Sequence, residues 1–270
     1  MQTLIRKYIL HAILFFQCVA LKAQQNYGPK ITAMANNSAA VADVWSVNGN
    51  PALITYVEQP ILALNHHHYG TEELSLQAIS FVIPTRNDAL GFYFQRYGID
   101  EYHELKISSA FAKRWGNQFC MALRFNYAQL HIKNYGSAPS YAFDIGLGYA
   151  FSEHFSLGLY TNNPFQLKNT PNINSVAMPG SIYLGCSYLI SDQVAIATTL
   201  SSMANSGFNS SIGMDYQLAK FLRITAGISL RPFQHFFGFG LLFKQWRLEF
   251  AMAQNPLLVD SPQIGIAYAF

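Results

Sequence analysis

Three consecutive histidines, His66, His67 and His68, are the first residues of this 270-residue chain whose type suggests chemistry. On a strand His66 and His68 share a face and His67 points the other way, so three imidazoles cannot converge on one ion without a bend. The nearest acidic residues are Glu72 and Glu73, and no cysteine lies close in sequence. No zinc-type ligand set forms, and no metal is expected. A polar strand end at a membrane interface accounts for the run. A second set is charged: Arg124, Asp144, Asp215, Arg223, Arg231, Arg247 and Glu249. Each falls in a row whose other members are mostly Gly, Ala, Ser or Thr. Charges in such a row need counter-charges or water. They therefore serve either a salt-bridged interior that holds another part of the chain, or a polar path for a solute. No Gly-rich phosphate loop, paired-carboxylate motif or nucleophile elbow is present. No catalytic residue or cofactor is expected, and an enzyme is the weakest reading.

The elements that carry these residues alternate with period two. From Phe119 to Tyr127 the large residues Phe119, Met121, Leu123, Phe125 and Tyr127 share one face, and Cys120, Ala122, Arg124 and Asn126 the other. From Tyr141 to Phe151, Tyr141, Phe143, Ile145, Leu147, Tyr149 and Phe151 oppose Ala142, Asp144, Gly146, Gly148 and Ala150. Leu222–Arg231 and Trp246–Ala253 repeat the pattern, and Gly238-Phe239-Gly240 reads as strand packing. A soluble sandwich would bury its large face and show a charged outer one. Here the large face is apolar and aromatic, and the small face carries the isolated charges, as in a barrel with lipid outside and a crowded or watery lumen.

Composition agrees. Hydrophobic residues make up 51% and charged residues 11%, against about 25% charged in ordinary soluble domains. No apolar run after the N-terminus is long enough for a membrane helix, and lipid leaves a closed barrel as the other solution. The net charge of +3 is too weak and scattered for nucleic acid. Candidate strands are 60–68, 73–84, 88–98, 103–115, 117–132, 140–152 and 154–162, then 180–191, 193–203, 207–217, 221–231, 235–244, 246–254 and 262–270. They give an all-β, transmembrane, antiparallel up-and-down barrel of about fourteen strands. Ser191-Asp192, Gly116-Asn117 and Ser152-Glu153 read as tight turns of the periplasmic kind, and Pro164–Pro179 as a longer loop.

Both ends carry address signals. Residues 1–23 read as a secretory signal peptide, with Arg6 and Lys7 ahead of an apolar stretch and Ala23 before the cut. The chain closes on an alternating strand in which Gln263, Gly265, Tyr268 and Phe270 resemble the C-terminal signal of outer-membrane barrels. That resemblance implies recognition by the barrel assembly machinery. The lipid-facing row would be Ile264, Ile266, Tyr268 and Phe270. The expected location is a Gram-negative outer membrane, with its lipid as partner.

Residues 24–59 do not alternate and are rich in Ala, Asn and Ser. They are too polar for lipid and too poor in charge for a solvated tail, so a plug inside the barrel formed by residues 60–270 is expected. Asp43, Trp45, Asn48, Asn50 and Pro51 are its characteristic residues. The stretch Ala42–Leu53 resembles the "NPAGLA" region that opens the FadL-type fatty-acid channels and the PorV/PorQ barrels of type IX secretion. The resemblance implies a fourteen-stranded barrel with an N-terminal plug, although Leu53 stands where that pattern has Gly. Two functions follow from it: passage of small or apolar molecules through a plugged barrel, or an accessory barrel that docks a secretion or assembly complex. On the alternation, Phe125→Arg is expected to harm assembly far more than Arg124→Ala.

Overall fold

The computed structural model describes residues 26–70, 74–165, 178–203, 207–254 and 260–270. The leader and most of the Pro164–Pro179 loop lie outside them. The described chain opens with a short helix α1 (Gly28–Ala33) and two 3-10 turns, Val44–Val47 and Pro51–Tyr56. Fourteen strands follow: β1 Ile61–His68, β2 Ser75–Pro84, β3 Asp88–Gly98, β4 Tyr102–Trp115, β5 Phe119–Ile132, β6 Gly136–Ala150 and β7 Phe155–Asn162. The second half comprises β8 Ser181–Ser191, β9 Val194–Met203, β10 Gly207–Ala219, β11 Leu222–Leu230, β12 Phe233–Phe243, β13 Trp246–Gln254 and β14 Ser261–Ala269. Each pairs antiparallel with its sequence neighbours, and β1 pairs with β14 from Ile61↔Ala269 to His67↔Gln263, so the sheet closes on itself. Closure leaves no open sheet edge, the condition for crossing lipid with strands.

Period-two sequence becomes two-faced wall. Outward rows such as Phe119, Met121, Leu123 and Phe125 on β5 and Ile264 and Ile266 on β14 are exposed, as are Phe111, Phe143, Leu184, Leu200, Ile212, Phe239 and Leu248 around the circumference. The described residues leave this girdle of large apolar side chains uncovered, and hydrocarbon is a medium that suits it.

Turn lengths define two rims. The proximal rim carries both ends of the barrel, Pro60 and Phe270, whose backbones meet in a Phe270 N–H to Pro60 O bond of 2.9 Å. Its connections are short, including Gly116–Gln118 and Asp192-Gln193. The distal rim holds the three longest connections, 69–74, 163–180 and 255–260, beside short ones such as Arg231-Pro232. Local register shifts at Leu189/Ser191 and Gln217/Ala219 sit at the proximal ends of β8 and β10, where bulges commonly end a ladder.

Strand limits read from the alternation agree to within two residues except at β6, expected from residue 140 and observed from Gly136. Pro139 discourages a strand there, because it cannot donate to a ladder. It is accommodated because β7 pairs with β6 only over Ile145–Ala150. The earlier part of β6 has β5 as its described neighbour.

Candidate functional site

The hydrophobic core is inside the barrel and combines two sources. One is the N-terminal segment, through Tyr27, Ile31, Met34, Val44, Trp45, Val47, Leu53 and Ile54. The other is the inward rows, through small residues such as Ala63, Ala78, Ala110, Ala112 and Ala122. Helix α1 contacts β11 to β14, and the Pro51–Tyr56 turn contacts β2 to β6. Two glycines mark where backbone meets wall. A Cβ at Gly158 would collide with the Ala39 carbonyl, and one at Gly213 with the Met34 carbonyl. Only glycine lets main chain approach a strand this closely.

Within the segment, local capping fixes the turns. Asp43 caps the first 3-10 turn reciprocally: Trp45 N–H donates to its carboxylate, and the Asp43 N–H donates to Ser46 Oγ. Asn50 caps the second, accepting from Ala52 N–H, and Pro51 follows at the first position of that turn. The Asn50 amide also donates to the carbonyls of Ala39 at 2.8 Å and Leu147 on β6 at 2.9 Å. One side chain thus caps a turn, braces the segment and ties it to the wall.

Arg124 and Asp144 lie at mid-height on β5 and β6, in register with each other and facing inward, with relative exposures of 1% and 2%. Arg124 Nε and Nη2 both donate to Asp144 Oδ2, at 2.8 and 2.6 Å. Its Nη1 donates to the Val47 and Gly49 carbonyls of the segment, and Nη2 also reaches Asn162 Oδ1. Asn126 donates to Asp144 Oδ2 and accepts from Ser108. Asn163 N–H fills Asp144 Oδ1 at 2.8 Å. Every oxygen of the buried carboxylate is therefore occupied, the condition under which a buried ion pair is tolerated. Lys106 on β4 extends the network, donating to Asn48 Oδ1 at 2.7 Å with its ammonium 5.9 Å from the Tyr93 ring centre. Asn48 in turn donates to the Asn26 carbonyl.

A second charged group lies near the proximal rim. Asp215 on β10 is 3.4 Å from Lys30 of α1 and 3.2 Å from Arg223 on β11. Arg247 on β13 is 3.8 Å from Asp43. Glu249 is buried on β13, opposite Gly240 and Gly265 in the inward row that continues to Arg223. Three cations, Lys30, Arg223 and Arg247, thus face three carboxylates, Asp43, Asp215 and Glu249. Two of the six come from the segment and four from the wall.

Arg231 requires correction. It was expected among the lumen charges, but β11 ends at Leu230 and Arg231 is exposed in the turn before Pro232. Its N–H donates to Asn209 Oδ1 at 2.8 Å. Proline cannot continue the ladder, so the alternation that pointed Arg231 inward stops one residue short of it.

At the closing strand, Gln263 and Gly265 face inward. Gln263 donates to Asn26 Oδ1 at 2.8 Å, and Gly265 abuts Pro29. Tyr268 lies in the outward row, 4.7 Å from the Trp246 ring and 5.0 Å from Phe270. These two apolar anchors and the two inward contacts share one strand.

Sequence reasoning missed Lys30, Lys106, Asn126, Asn162 and the buried tyrosine group. In that group Tyr160 OH lies 3.1 Å from Tyr27 OH and 2.8 Å from Ser38 Oγ, with the Tyr160 and Tyr183 rings stacked at 4.3 Å. Lys106 was legible, since alternation on β4 sets it in the row of Ser108, Ala110 and Ala112. Lys30 was not, because nothing in the α1 sequence shows which wall it meets. Among the described residues no group of three His, Cys, Asp or Glu could hold a metal ion. His66 and His68 face outward, and His67 inward.

No protein-family model and no curated protein sequence matches the chain. Solved structures do share its fold. It superposes on the CymD monoaromatic hydrocarbon channel with a TM-score of 0.68 at 14% identity, covering 91% of this chain and 98% of that one. The Ralstonia pickettii toluene transporter TbuX gives 0.67 at 12% identity, covering 92% and 99%. A Pseudomonas aeruginosa FadL homologue gives 0.67 at 10%, covering 90% and 98%. This chain therefore has the fourteen-stranded fold of FadL-type outer-membrane channels.

Proposed function

We propose that this protein is an outer-membrane channel for small, largely apolar molecules, closed to free ion flow by its N-terminal segment. The observation that carries this reading is the tethered interior: residues 26–57 lie against the inward rows and are joined to the wall through Arg124, Asn50, Lys106, Asp215 and Arg247. The fold shared with a monoaromatic hydrocarbon channel and a toluene transporter supports the substrate class. A cleft of about 550 Å3 opens at the proximal rim between the segment residues Leu53 and Tyr56 and the rim residues Gln118, Ala150, Ser156 and Ser187. It offers a way out beside the plug. In this reading the proximal rim is periplasmic, residues 1–23 are removed on export, and the closing strand is read by the assembly machinery. The docking-scaffold alternative has no observation in its favour.

Uptake decides the matter. Cells of a host without its own hydrocarbon channel should take up labelled toluene faster when the folded barrel is present in their outer membrane. Equal uptake with and without the barrel would contradict the proposal.

A further inference from the structure

Buried side-chain atoms without a hydrogen-bond partner are scattered over the described residues, and four of them gather in one corner. Asn65 and His67 on β1 and Gln263 on β14 are 5%, 8% and 1% exposed and face inward near the distal end of their strands. Both amide atoms of Asn65, Nε2 of His67 and Oε1 of Gln263 have no hydrogen-bond partner. The register sets them together: His67 pairs with Gln263, and Asn65 is the next inward residue on β1. Directly paired Cβ atoms lie about 5 Å apart and diagonal ones about 7 Å. A buried polar group left unsatisfied bears its full desolvation penalty, so four orphaned atoms in one corner mark a place built to receive something. Gln263 is aimed by its other end, which donates to Asn26 Oδ1 of the segment.

The composition of the corner specifies the guest. The four atoms include a donor (Asn65 Nδ2), two acceptors (Asn65 Oδ1 and Gln263 Oε1), and an imidazole nitrogen that can serve as either. A hydroxyl group both donates and accepts, and matches such a mixed set. No Lys, Arg, Asp or Glu belongs to the trio, so a charged guest would be desolvated without a counter-charge. The Asn26 amide of the segment borders Gln263, and the flank at His67 is apolar or aromatic. Leu76 on β2, fully buried, pairs with His67. The Tyr69 ring lies 4.0 Å from that of His67, with Tyr97 edge-on to Tyr69 at 5.6 Å. We propose that Asn65, His67 and Gln263 form a binding site for a small uncharged ring compound bearing a hydroxyl, phenol being the simplest, on the distal side of the N-terminal segment. The proposal rests on the transport reading for the guest's route and adds a polar handle to its apolar substrate class.

Calorimetric titration of the folded barrel in detergent micelles, blanked against protein-free micelles, tests it with phenol and toluene as probes. A site that hydrogen-bonds its guest discriminates against the analogue lacking the group, so wild type should bind phenol at least about tenfold tighter than toluene. Asn65→Leu combined with His67→Phe should erase that preference while toluene binding persists, with the heat-modifiable gel shift confirming a folded barrel. The wild-type ranking stands as a test even where the double variant does not fold. Equal affinity for the two probes, no binding of either (a corner filled by ordered water only), or phenol preference surviving in the folded double variant would each overturn the site. Equilibrium binding requires no passage. Loss of phenol preference with toluene uptake intact would thus contradict the site alone, and failed uptake with the preference intact would contradict the channel reading alone.

Discussion

Arg124 is joined to Asp144, to two carbonyls of the N-terminal segment and to Asn162, all inside a wall whose outer face is Phe125 and Phe143. That connectivity changes the relative cost of two substitutions. From alternation alone, Phe125→Arg should far outweigh Arg124→Ala, because an arginine at the lipid midplane costs about 2–4 kcal/mol. Removing one partner of a buried ion pair costs about 3–5 kcal/mol, since the other charge is left uncompensated. Both variants should therefore be destabilised to a similar extent, as read from the urea midpoint of the gel-shift transition in micelles. Arg124→Ala at the wild-type midpoint would show that the network contributes nothing. Gly158 makes the steric counterpart. Gly158→Val places side-chain atoms where the Ala39 carbonyl lies. Limited proteolysis should then cut within residues 34–50 of the folded variant while sparing wild type.

Elements repeat the same division between what a face shows and what it touches. Strands were legible because each alternates large with small residues, and lipid outside makes that contrast stronger than in a soluble sheet. The Phe119–Tyr127 and Tyr141–Phe151 rows put Arg124 and Asp144 on the inner face of successive strands, and the fold sets them in register. The failures fall where a second rule acts. Pro139 hid the start of β6, and Pro232 ended β11 before Arg231 could point inward. The segment's own geometry was not legible, because its contacts are set by three-dimensional fit. Gly146 was placed on the inward face by alternation, but only the folded barrel shows that Asn50 approaches it, and that Ala39 and Met34 approach Gly158 and Gly213. At β14, Tyr268 and Phe270 anchor the outward row against Trp246. Tyr268→Ser with Phe270→Ser should cut the amount of folded barrel in the membrane fraction severalfold, as read by heat-modifiability. Unchanged levels would mean that closure depends on the inward contacts of Gln263 and Gly265 alone.

At the scale of the whole molecule, the wall and the segment inside it share one hydrophobic core. A fourteen-stranded wall encloses more space than its own side chains fill, and small inward residues widen it. The N-terminal segment supplies the missing volume with Trp45, Ile31, Met34 and Ile54, all 1% exposed or less. Ion pairs at the proximal rim and the Arg124 network fasten it. Permeability should accordingly be governed by the segment rather than by the wall. Single-channel recording in planar bilayers, comparing the intact protein with a variant lacking residues 26–57, tests this most directly. The intact barrel should show little or no steady conductance, and the shortened one, refolded to a heat-modifiable barrel, should conduct ions through an open lumen. Equal conductance in the two folded proteins would contradict an occluding role for the segment, and with it the closed-channel account.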